Sequence, residues 1–98
     1  FAFAHEVESV KVLEVDGGDG CVAPTPETIG DGSYPISRPL FIYVNKAKAE
    51  ENPALAAWVD LYLGDAVDAV SEVGYVDLAP EDLEATRSRW ESRTTGAA

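Results

Sequence analysis

Five apolar residues, Leu40, Phe41, Ile42, Tyr43 and Val44, follow one another without a polar interruption. A half-exposed strand would alternate, so this run predicts a strand with both faces covered, as inside a parallel or mixed sheet. Pro35 and Pro39 precede it. Each lacks a backbone donor and biases the residue before it towards extended geometry, so residues 34–46 read as a stiff, extended crossing. Upstream, Phe1 to Ala4 resemble the tail of a strand. Val10 to Val15 suggest another, with Val10 and Val12 on one side and Leu13 and Val15 on the other. Apolar residues on both sides predict burial there too.

The helical signals lie mostly downstream. Thr25-Pro26-Glu27-Thr28 reads as a helix start, with Thr25 as N-cap, Pro26 at the first helical position and Glu27 at the positive end of the dipole. Gly30-Asp31-Gly32 closes it. Asn52-Pro53 opens a second helix in the same way, and Leu55, Trp58, Val59 and Tyr62 share one of its faces. Alanines and Leu61 widen that face, so deep packing is expected before Gly64 ends the helix. The spacing of Ala66, Ala69, Val70 and Val73 predicts another helix, with Gly74 as its C′ residue. Tyr75-Val76 allows only a short extended piece. A last helix starts at Pro80, with acids in its first turns and Arg87 and Arg89 near its end. Leu83, Arg87 and Trp90 share a face, Trp90 as anchor.

Composition narrows the partners. The chain has 98 residues, 46% hydrophobic and 26% charged, which fits one small globular unit. No apolar stretch approaches the ~18 residues of a membrane span. Net charge is −11, with four bases and seven acids in residues 1–49 and three and eleven in residues 50–98. Such a field repels nucleic-acid backbones, and any bound anion needs a local cluster of donors. With no methionine and a strand-like opening, the sequence is expected to begin inside a longer chain.

Catalytic signals are weak. Nucleophilic catalysis needs a hydroxyl or thiol beside a base. The single histidine, His5, sits among Glu6 and Glu8 and reads as a surface residue. Cys21 is the single cysteine, left either with a partner in other sequence or as a buried thiol, and with His5 it makes no metal site. In residues 16–20 the glycines offer amides that an anion could use, but Asp16 and Asp19 put negative charge there, so the loop reads as a turn. No enzyme is expected.

Three segments carry a family resemblance: VDGGDGCVAPTPETIGDGSYP from Val15 to Pro35, ENPALAAWVDLYL, and EVGYVDLAPEDLEATRSRW ending at Trp90. Together with the crossing at 34–46, their order and spacing are similar to the C-terminal third of extracytoplasmic phosphate-binding proteins, the receptors of ABC phosphate importers. The resemblance implies an α/β fold, part of the two-lobed type II periplasmic-binding-protein architecture. Residues 1–33 would end the second lobe, residues 34–39 would cross the hinge, and residues 40–98 would form the C-terminal part of the first lobe. It implies inorganic phosphate and an ABC permease as partners and a location outside the cytoplasmic membrane, in the periplasm or at the cell surface, with or without a lipid anchor. In that family the phosphate is held by early loops of the first lobe and by a Ser-Gly-Thr segment of the second. No Ser-Gly-Thr occurs here. No ligand-binding, catalytic, metal or cofactor residue is therefore expected in this chain. Ser37 and Arg38, the one donor pair near the crossing, read as structural, Arg38 in an ion pair or a backbone cap. The contrasting reading is a stand-alone interaction module built from the same region. Because such a piece leaves strand faces uncovered, self-association, strand exchange or collapse into a compact non-parental arrangement is expected.

Overall fold

The computed structural model describes residues 8–96; the expectations for Phe1 to Ala4 and for His5 lie outside the described residues. The first element is a two-stranded antiparallel ladder. In it β1 (Val15–Asp16) pairs with β2 (Cys21–Val22), Val15 opposite Val22 and Asp16 opposite Cys21. The strand expected over residues 10–15 is thus reduced to its last residue. Val10 and Leu13 are exposed, because the only strand paired with this one among the described residues is a two-residue neighbour.

Local signals determine the first helix. α1 (Pro26–Gly30) starts at Thr25, whose side chain accepts from the Thr28 amide while Thr28 reciprocates to the Thr25 amide. That double exchange satisfies two donors the helix would otherwise leave open. After α1 the Tyr34 amide donates to the Thr28 carbonyl at 2.9 Å, and Tyr34 is buried. The Ser37 amide and hydroxyl both donate to the Tyr34 carbonyl. Residues 34–37 therefore form a closed turn with Pro35 in its second position, where the fixed φ of proline fits. The extended crossing expected from residue 34 begins only after this turn.

Residues 38–44 form no regular element and make no backbone hydrogen bond among the described residues. Leu40, Phe41, Ile42 and Tyr43 are 67, 53, 42 and 85% exposed, so the covered strand expected here is absent. A strand with two apolar faces needs neighbours on both edges, and none of the described residues supplies one. Asn45 then caps α2 (Lys46–Glu51) by accepting from the Lys48 amide, and Lys48 pairs with Glu51 at 2.9 Å. This helix went unread in the sequence, although Asn45 followed by good helix formers was its signal.

Asn52 caps α3 (Pro53–Leu63) as expected, and Gly64 ends it. Val59 and Leu63 are buried, but Trp58, Leu61 and Tyr62 stay exposed, with Trp58 and Tyr62 stacked at 5.2 Å. The deep packing expected for α3 is confined to one narrow stripe, because too few elements surround it. In place of the following helix there is a 3-10 turn (Asp65–Ala69), then a looser turn. The β-branched Val67, Val70 and Val73 disfavour continuation as a helix. Gly74 nevertheless does what its position suggested. At φ 85° it lets its own amide reach the Ser71 carbonyl and the Tyr75 amide reach that of Val70.

α4 (Pro80–Glu91) is tied to α3 by two side-chain hydrogen bonds. Arg87 Nε donates to the Leu63 carbonyl at 2.8 Å, closing an open C-terminal acceptor of α3. Trp90 Nε1 donates to Asp60 Oδ1 at 2.6 Å, and the Arg93 guanidinium lies 3.4 Å over the Trp90 ring. The anchoring face expected for α4 is thus present, half-buried rather than sunk in a core. The core of the described residues consists of Tyr34, Ala49, Val59 and Leu63. The Cα radius of gyration is 16.3 Å, against about 13 Å for a compact chain of this length, so the chain is more open than the compact arrangement expected. No helix among the described residues is long and apolar enough to cross a membrane.

Candidate functional site

Two concavities among the described residues have room for a small ligand. The larger is a cleft of about 610 Å³ between α1 and the segment that leads into α4. Glu27 and Asp31 line one wall, and Asp77, Glu81 and Asp82 the other, with no lysine or arginine in the lining. Asp31 also accepts from the Ser33 amide at 2.8 Å, and the nearby Ser33 hydroxyl, followed by that amide, holds its carboxyl below the usual aspartate value. Five carboxylates around a cleft repel phosphate.

The smaller, of about 200 Å³, lies beside the glycine loop, lined by Gly17, Asp19, Gly20, Val22, Ser33 and Pro35. Here the amides that could have cradled an anion are already in use. Gly18 N and Gly20 N donate to Asp16 Oδ1 at 2.8 and 3.0 Å. The Gly18 amide, then that of Gly20, holds the Asp16 carboxyl below its usual value. Gly18 and Gly20 reach this geometry at φ 123° and 109°, backbone that side chains with a Cβ rarely adopt. The turn reading of this loop agrees with the structure, which fills the concavity with the chain's own carboxylate. Gly17 serves a different purpose: a Cβ there would fall 2.7 Å from Pro35 Cγ, so only glycine lets the loop lie against the 34–37 turn.

The Ser37/Arg38 pair does not act together. The Ser37 hydroxyl closes the turn on Tyr34 at 2.8 Å. Arg38 is exposed, and neither the ion pair nor the backbone cap expected of it is present among the described residues. Cys21 is exposed and free, so it is not the buried thiol that was one of its two readings. Among the described residues no cluster of His, Cys, Asp and Glu could hold a metal ion. Sequence reasoning missed the charge setting of residues 38–44. Residues 32–49 contain Arg38, Lys46 and Lys48 and no carboxylate, a gap visible by eye in so acidic a chain.

A small antiparallel ladder followed by short helices, with much apolar surface open, fits part of an α/β fold. Consistent with this, the family described as PBP superfamily domain matches residues 2–66, and the chain belongs to it. It is similar to Protein SphX of Synechocystis sp., 46% identical over 85 residues, which cover 83% of this chain and 25% of that protein. It is also similar to the Phosphate-binding protein PstS of Staphylococcus aureus (strain USA300), 40% identical over 76 residues, 78% of this chain and 22% of that protein. The PstS of strain COL gives the same figures. The chain spans about a quarter of the length of the curated relatives it matches. The likeness to phosphate-binding proteins drawn from the sequence is thus upheld. No solved structure matches the chain.

Proposed function

We propose that this chain is a framework portion of an extracytoplasmic phosphate-binding receptor that delivers inorganic phosphate to an ABC permease, and that it is not an enzyme. The observation that carries this reading is its 40% identity over 76 residues to a protein whose name states phosphate binding. On this reading residues 1–33 close one lobe, residues 34–39 form the hinge crossing and residues 40–98 belong to the other lobe. The exposed apolar run at 40–44 supports it, since a run apolar on both sides fits a strand whose sheet is completed by further sequence.

The phosphate ligands then lie elsewhere in the receptor. Metal-free phosphate binding requires convergent amides, hydroxyls and an arginine. Here the main cleft is lined by carboxylates, the glycine amides hold Asp16, and the Ser37 hydroxyl holds Tyr34. Titration calorimetry of the 98-residue chain with orthophosphate tests the assignment. No saturable heat is expected; stoichiometric uptake at micromolar affinity would overturn it.

A further inference from the structure

α3 is apolar on two opposite sides, and only one of them is covered. At 3.6 residues per turn Val59 and Leu63 fall on one side, with Leu55 and Ala56 at its margins, and these four are buried or half-buried. Ala54, Ala57, Trp58 and Leu61 fall on the other, spaced i, i+3, i+4, i+7, and all four are exposed. Tyr62 flanks them and stacks on Trp58 at 5.2 Å. Trp58, Leu61 and Tyr62 are 52, 56 and 42% exposed. Asp60, the one charged residue of α3, lies off this side and accepts from Trp90. The open side therefore offers neither charge nor a hydrogen-bonding backbone, only apolar relief: two alanines leave recesses, and Trp58 and Leu61 project beside them.

We infer that two copies of this chain associate through these open sides, α3 against α3 in antiparallel orientation, a contact independent of the receptor role proposed above. The relief is self-complementary. A two-fold axis passing between Ala57 and Trp58 sets Ala57 of each copy opposite Trp58 of the other, and Ala54 opposite Leu61. Every large side chain then enters the space left by a small one, as knobs enter holes between packed helices. α3 is also ordered before it docks. Residues 38–44, the other exposed apolar stretch, have no backbone hydrogen bond among the described residues to hold them, so docking there would cost far more entropy. From the open parts of Trp58, Leu61 and Tyr62 and the two alanines, the contact covers about 450 Å² on each copy, about 900 Å² in all. That lies just below the range of stable interfaces, and the two chains, each of net charge −11, repel one another. The dimer is therefore weak and reversible.

Filling a recess separates this fit from unspecific apolar clustering. Sedimentation velocity of the 98-residue chain over a wide concentration range is expected to show a monomer–dimer equilibrium that strengthens as salt is raised, because screening relieves the repulsion. Ala57→Leu adds apolar surface but occupies the space that Trp58 of the other copy needs, so it should weaken dimerisation at least about tenfold. Leu61→Asp, which puts a charge at the centre of the contact, should abolish it. Both positions are exposed in the single chain, so the helical circular dichroism of each variant should match the original. Ile42→Asp, in the other exposed apolar stretch, should leave dimerisation unchanged. A chain monomeric at all concentrations overturns the inference and leaves the open side of α3 to be covered by further sequence. So does a dimer indifferent to Ala57→Leu and Leu61→Asp, or one lost in Ile42→Asp.

Discussion

Removing the Asp60 carboxylate should loosen α4 from α3 without melting either helix. The attachment between them shown here is polar: Trp90 Nε1 to Asp60 Oδ1 at 2.6 Å and Arg87 Nε to the Leu63 carbonyl at 2.8 Å, and Leu83 of α4 is half-buried. A hydrogen bond to a charged group contributes about 1.5–3 kcal/mol when buried, and solvent around the exposed Asp60 reduces this to about 1 kcal/mol. That corresponds to roughly a fivefold loss in the docked-to-undocked ratio. The assay is amide exchange of α4 in Asp60→Ala. The emission of Trp90 should be followed in a Trp58→Phe background, which keeps a ring stacked on Tyr62. Protection in α4 should fall about fivefold and the emission shift to the red, while amides around Val59 keep their protection. Asp60→Asn, which retains a neutral acceptor, should recover about half the loss. Unchanged exchange and emission in Asp60→Ala would refute the reasoning and assign the docking of α4 to Leu83 packing instead.

Two further outcomes follow from the N-terminal half. Gly17→Ala should cost about 1–3 kcal/mol in chemical denaturation, because its Cβ would meet Pro35 Cγ at 2.7 Å; Pro35→Ala in the same chain should recover most of it, and no recovery would place the strain in the loop backbone. Asp16 and Asp31 both have lowered carboxyl values, so each contributes stability that is present above the ordinary aspartate range and lost as pH falls through the lowered one. Proton resonances of Gly18, Gly20 and Ser33 should therefore shift together in strongly acidic solution, below the usual aspartate midpoint, and Asp16→Asn should remove the response at the two glycines alone.

What the sequence made legible was local chemistry. Thr25, Asn52, Gly64 and Gly74 punctuate helices and turns through contacts a few residues away, so each could be read in place. Residues 40–44 could not be, because the cover of a strand is a property of its neighbours, and none of the described residues serves as one. The 34–37 turn was hidden by the reading of Pro35 as a stiffener, when the Tyr34 carbonyl instead gathers both Ser37 donors. For the site, the refusal of anions was foreseeable from Asp16 and Asp19. That Asp16 itself fills the loop required the positions of Gly18 N and Gly20 N.

Tyr34 is the keystone between two otherwise separate pieces. Its amide is tied to the end of α1, its carbonyl to Ser37, and its neighbour Pro35 is wedged against Gly17. Hairpin, α1 and turn are consequently joined through this one residue. Between that unit and α2 lie the seven residues from Arg38 to Val44, which no backbone hydrogen bond restrains among the described residues, so bending there costs only torsions.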